Sequence, residues 1–113
     1  MPTLYTCSVF VTQSEIRVAS SQMEALERAF EDRAGLVDRH DGFLGLELLC
    51  DVRCEGRYVL LTRWRSAACF RAYMKSGDHK RAHERQHEGL GEIQTKGGNL
   101  QQFESKLQSP SPP

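Results

Sequence analysis

The stretch GFLGLELLCDVRCEGRYVLLTRW, Gly42–Trp64, decides the fold. Its two apolar runs, Phe43–Leu49 and Arg57–Trp64, are each strand-sized, and Glu55-Gly56 between them is a turn signal. The segment therefore predicts an antiparallel hairpin. Working outward toward the C-terminus, Ser66 is placed to cap a helix running through Ala67, Cys69, Phe70, Ala72, Tyr73 and Met74, because its hydroxyl can accept from the exposed amides of a first turn. Gly77 interrupts that helix. Asp78 can cap a shorter one carrying His79, His83 and His87, and the glycines of 88–98 read as a loop. Asn99–Leu107 holds a last weak strand around Leu100, Phe103 and Leu107, whose irregular spacing allows a bulge.

Toward the N-terminus, Arg39-His40-Asp41-Gly42 ends a helical pattern in which Met23, Leu26, Phe30 and Val37 recur on one side. Thr12–Gln22 is polar and serine-rich. Before it, Leu4–Val11 alternates with period two, Tyr5, Cys7, Val9 and Val11 on one side and Leu4, Thr6, Ser8 and Phe10 on the other, which predicts the first strand. The resulting order is strand, helix, strand, strand, helix, helix, strand. It defines an α+β, ferredoxin-like split β-α-β arrangement: a four-stranded antiparallel sheet with helices on one face. One domain is expected over 1–107, followed by a disordered tail at 108–113, where three prolines oppose helix and sheet alike. Apolar residues on both sides of the first three strands call for a second copy packed sheet against sheet.

Charge excludes several partners. Fifteen basic and fifteen acidic residues give a formal net charge of zero in a chain of 113 residues. No broad field exists to steer the protein onto nucleic acid or a membrane surface. The apolar runs are too short to span a bilayer, and the first residues lack a basic segment leading into an apolar signal core, so a cytoplasmic setting is expected. Cys7, Cys50, Cys54 and Cys69 form no C-x-x-C pair and are expected to be reduced thiols, neither a zinc site nor a thioredoxin-like motif. There is no phosphate-binding glycine loop, paired-carboxylate motif or nucleophile elbow, which removes nucleotide hydrolysis, glycoside hydrolysis and acyl transfer.

His79, His83 and His87 share one helix face, and histidines at that spacing can chelate a metal. Yet Lys80, Arg81, Glu84 and Arg85 lie on the same helix, which gives His79 and His87 the character of a solvated surface. Phe70, Tyr73 and Met74 recur at helical spacing, the usual mark of core packing, and Phe70 is expected to pack. Trp64 is expected to be a buried anchor, and Glu47 with Arg63 a solvated cross-strand ion pair.

GFLGLELL at Gly42–Leu49, RYVLLTRW at Arg57–Trp64 and FRAYMKSGDHKRAH at Phe70–His83 together resemble the antibiotic-biosynthesis monooxygenase family, and within it the Isd-type heme-degrading monooxygenases. The resemblance implies a dimeric α+β barrel and a homodimer. In the heme-degrading branch a helical histidine binds iron, a tryptophan shortly before it presses on the porphyrin, and a first-strand asparagine hydrogen-bonds the distal ligand. The matching positions are His83, Tyr73 and Cys7. His83 offers a neutral imidazole nitrogen to iron and is the implied metal ligand. Tyr73 keeps an aromatic body, smaller than indole, and Cys7 has only a weak S–H donor in place of a carboxamide. Arg33 matches a basic first-helix position near the heme and suits a propionate. Phe70 and Tyr73 would line the cofactor pocket, with Tyr73 and Cys7 nearest the chemistry.

The function that follows is heme degradation by a heme-binding, oxygen-dependent monooxygenase with a histidine iron ligand and an external electron donor. Two alternatives share the fold. One is a cofactor-free monooxygenase acting on a polycyclic phenol or quinone, which accounts for the absent tryptophan and asparagine. The other is a non-enzymatic heme-binding protein.

Overall fold

The computed structural model describes residues 9–76 and 99–110, and the side chains of 32–36 within that span are not described. Four strands, β1 (Phe10–Arg17), β2 (Phe43–Cys50), β3 (Arg57–Trp64) and β4 (Gln101–Glu104), alternate with two helices, α1 (Met23–Val37) and α2 (Ala67–Met74). The sheet has the order β2-β3-β1-β4 with every pair antiparallel. This is the α+β ferredoxin-like arrangement expected from the hairpin outward. No described helix is long and apolar enough to cross a membrane.

The hairpin forms as its sequence dictates, with Cys50 opposite Tyr58 and Leu48 opposite Leu60. Gly56 takes φ +84°, and a Cβ there would run into the Val18 carbonyl oxygen. That close approach lets the Gly56 carbonyl accept from the Val18 amide at 2.9 Å, tying the turn to the end of β1. Gly42, at φ +80°, lies against Cys69 in the same way and brings β2 in under the start of α2. Only glycine enters this left-handed region without cost. Ser66 caps α2 as expected, its hydroxyl accepting from the Cys69 amide at 3.2 Å. The irregularity expected in the last strand falls instead in β2, where the register shifts between Phe43 and Gly45.

The first strand departs from the reading of the sequence. It spans Phe10–Arg17, whereas alternation placed it at Leu4–Val11; Leu4–Ser8 lie outside the described residues. Its helix-facing positions are Phe10, Thr12, Ser14 and Ile16. Two of these four carry small hydroxyls, so the hydrophobic period fades where the strand actually runs. Pairing decides instead: all eight residues of β1 match all eight of β3, from Phe10 opposite Trp64 to Arg17 opposite Arg57. Beyond the short β4, the Asn99 carboxamide imitates a strand residue, accepting from the Glu15 amide at 3.2 Å and donating to the Glu15 carbonyl at 3.0 Å.

Leu26, Phe30 and Val37 of α1 are buried, as their spacing predicts. The sheet's other face is mixed: Val11, Leu49, Val59, Leu61 and Phe103 lie among Gln13, Glu15, Glu47, Arg57 and Arg63. Glu47 and Arg63 form the expected exposed ion pair at 2.9 Å. At the hairpin end Arg57 bridges Glu15 at 2.6 Å and Asp51 at 3.0 Å. Hydrogen bonds from Arg17 and then Arg57 hold the Glu15 carboxyl below its ordinary range, and the Arg53 amide followed by Arg57 does the same for Asp51. A carboxylate with a lowered folded pKa adds stability above its unfolded value and loses it as pH falls through the folded one. Arg57→Gln is therefore expected to lower stability throughout the neutral and alkaline range, where both carboxylates are charged, and to bring acid unfolding closer to neutrality, as read by circular-dichroism denaturation at a series of pH values.

Candidate functional site

Cross-strand register divides the helix-facing side of the sheet into three bands. At one end Ile16, Tyr58 and Leu60 pack beneath Leu26 and Phe30 of α1. At the other, Phe10 and Trp64 pack with Val37, Phe70 and Tyr73. Between these apolar groups runs a polar row: Thr62 of β3, Thr12 of β1 and Gln102 of β4 stand side by side. Thr12 and Thr62 are 4 % and 8 % exposed, while Gln102 is exposed.

The row is wired to the aromatic end. The Trp64 indole N–H donates to Thr62 Oγ1 at 2.9 Å, and the Thr62 and Thr12 hydroxyls are hydrogen-bonded to each other. Indole and two hydroxyls supply three protons, and these two bonds consume two of them. Among the described residues nothing accepts the third.

Around Trp64 the rings make an interlocked group. Phe43 and Tyr73 lie at 5.2 Å and Phe70 at 5.8 Å, Phe70 also meets Phe10 at 5.5 Å, and His40 stands edge-on to Tyr73 at 4.8 Å. These separations and tilts are those in which aromatic quadrupoles attract. Of the residues singled out in the sequence, the structure thus brings together Phe70 and Tyr73, both buried. Arg33 falls within α1 but its side chain is not described, and Cys7, His79, His83 and His87 lie outside the described residues. Three residues went unnoticed: His40, read only as part of a helix stop, and the Thr12–Thr62 pair. Thr62 was visible in principle, since it alternates in phase with Leu60 and Trp64.

Two hollows flank the sheet. One of about 380 Å³ opens between α1 and β2, floored by Phe30, Leu46 and Leu48 and rimmed by Glu27, Glu31 and Cys50. The Tyr58 hydroxyl donates to Glu27 at 2.6 Å there, and burial, then that carboxylate, pushes the phenol's ionisation well above its ordinary range. The second, of similar volume, lies near Glu15, Arg57 and Asn99. Cys50, Cys54 and Cys69 are free thiols, and the described residues contain no cluster of three metal-ligating side chains.

The sheet and its helices make this an α+β protein of the ferredoxin-like kind, and residues 9–85 match the family model for antibiotic biosynthesis monooxygenases. The chain belongs to that family. Among curated relatives, the mycobilin-producing heme oxygenase of Mycobacterium tuberculosis is 40% identical over 58 residues, 51% of this chain and 55% of the relative. The chain thus spans about half the length of the curated relatives it matches. Among solved structures, a heme-degrading protein of M. tuberculosis in heme-free form superposes with a TM-score of 0.68 at 27% identity, over 91% of this chain and 97% of the other. A cofactor-independent oxygenase from Streptomyces nogalater superposes with a TM-score of 0.64 at 18% identity, over 91% and 96% of the two chains, a likeness of fold.

Proposed function

We propose that this chain is a heme-binding, oxygen-dependent monooxygenase that degrades heme. The observation that carries the reading is the 40% identity to a mycobacterial heme oxygenase over a 58-residue stretch. The residues present suit the ligand: two apolar groups flank a buried hydroxyl pair with one proton that no described residue accepts, which fits a flat aromatic molecule bearing oxygen acceptors. Bound heme, supplied with electrons by an external donor and with dioxygen, would be both the redox centre and the ring that is oxidised. In this reading His83 would hold the iron through a neutral imidazole, Arg33 would pair with a propionate, Phe70 and Tyr73 would form the aromatic wall, and Cys7 would be the residue nearest the chemistry. The free thiols suit a reducing, cytoplasmic setting. Two copies associating through the open sheet face form the working unit.

The experiment is a hemin titration. A Soret band that sharpens and shifts on binding, and that His83→Ala weakens by at least about tenfold in affinity, supports the assignment; a shift that survives the substitution removes His83 as ligand. Loss of the porphyrin bands on adding ascorbate in air establishes turnover. A second reading, a cofactor-free oxygenase acting on a polycyclic phenol or quinone, is favoured by Tyr73 standing where the heme-degrading branch has tryptophan. Oxygen uptake with a quinol in metal-free protein supports it.

A further inference from the structure

The polar row on the helix-facing side of the sheet holds one proton more than its own hydrogen bonds use. An indole N–H can only donate, so Trp64 occupies one acceptor position of Thr62. Thr62 has Leu46 on its β2 side and Thr12 on its β1 side. As β3 is an interior strand, its backbone carbonyls are engaged with neighbours on both flanks. Either hydroxyl of the pair can donate to the other, and in both arrangements one proton of the pair has no acceptor among the described residues; with Thr62 donating to Thr12, that proton is the one Thr12 can give on the β4 side. There the next residue in register is Gln102, exposed, its side chain making no hydrogen bond to any described residue. A hydroxyl pair at 4 % and 8 % exposure with a proton that no described residue accepts is costly, and a chain of hydrogen bonds polarises its terminal donor.

Resting on the ligand site proposed above, we infer that Thr12 is a ligand-binding residue. Its hydroxyl, fed by Thr62 and the Trp64 indole, donates to an oxygen acceptor on the rim of a flat aromatic ligand, with the Gln102 carboxamide as the second contact. The acceptor is a carboxylate or carbonyl oxygen: a porphyrin propionate and a quinone carbonyl share that chemistry. The site would then discriminate by hydrogen bonding, since a ligand lacking the oxygen leaves the Thr12 proton unpaired in an apolar layer.

Thr12→Val keeps the shape of the side chain and removes the donor, whereas Thr12→Ser keeps the donor and removes a methyl. With hemin as probe, Thr12→Val is expected to weaken binding about ten- to a hundredfold and Thr12→Ser to stay within about threefold of the parent. A packing role predicts the reverse order, so a serine variant as weak as the valine variant, or a valine variant as tight as the parent, overturns the inference. If Thr12→Val does not fold, judged by thermal melting, Thr12→Ala against Thr12→Ser differs by the hydroxyl alone and is read the same way. Should the parent fail to take up hemin, the heme reading falls, and 1,4-naphthoquinone binding followed by Trp64 fluorescence is scored with the same variants. The same order there sustains the role of Thr12; no binding, or no dependence on the hydroxyl, ends it.

Discussion

Trp64→Ala is expected to cost about 4 kcal/mol or more, a large share of the roughly 5–15 kcal/mol that keeps a domain folded. Trp64 is 1 % exposed and is the hub of the aromatic group, with Phe43, Phe70 and Tyr73 rings all within 5.8 Å. Truncating a buried tryptophan forfeits its transfer free energy and opens a cavity that rigid neighbouring rings cannot close. Each lost ring pair adds roughly 0.5–1.5 kcal/mol to that. The indole also donates to Thr62, so its removal frees the upstream end of the hydroxyl row. Trp64→Phe retains a ring but not the donor, and a loss of about 1–2 kcal/mol is expected from it. Because the chain has a single tryptophan, both variants are followed by far-ultraviolet circular dichroism in guanidinium. An alanine variant within 1 kcal/mol of the parent would mean that the α2 end of the core repacks, contrary to the close ring geometry.

That hub also shows which parts of the structure the sequence discloses. Gly42–Trp64 announces its own hairpin because turn glycine, β-branched and aromatic residues and strand length agree, and α1 is legible because Leu26, Phe30 and Val37 keep the helical period. β1 is misread for a physical reason: Thr12 and Ser14 occupy helix-facing positions, and their fitness is set by Thr62 and Leu60 across the strand boundary, partners fifty and forty-six positions away in sequence. A period-two test sees hydroxyls and reports loop. The same holds for the site. Phe70 and Tyr73 are marked by helical spacing, whereas the hydroxyl row exists only once β3, β1 and β4 lie in register, so no local pattern could assemble it. His40 meets Tyr73 because Gly42 turns the chain back under α2. The family resemblance drawn from Gly42–His83 gave the correct fold, and the roles it implies for Cys7, Arg33 and His83 stand as proposals that hemin titration addresses.

Leu61→Arg is expected to convert the proposed dimer to monomer while leaving the fold intact. Leu61 lies mid-strand in β3 on the face away from the helices, opposite Glu47 on one side and Gln13 on the other, with Val59 and Arg63 the next outward-facing residues along its strand. It is half-buried in a single copy, and Leu49 and Phe103 on the same face of the sheet are 42% and 45% exposed, so covering this face removes apolar area from water. Three strands of eight residues and the four-residue β4, at about 4.8 Å spacing, give a footprint of at most roughly 15 by 25 Å, short of the ~800 Å² per partner of a standard interface. The exposed Leu100 and Leu107 flanking β4 are therefore expected to be drawn into the contact. In a twofold pairing every substitution acts twice, and a guanidinium at the centre of each face either stays desolvated or holds the sheets apart. A penalty of about 2 kcal/mol per copy raises the dimer dissociation constant roughly a thousandfold. Light scattering coupled to gel filtration reads this directly, with Lys106→Glu, at a side chain 78% exposed, as a charge-change control on the last segment. A Leu61→Arg protein that remains dimeric would place the interface on another surface, and would leave the apolar stripe of this face without an occupant.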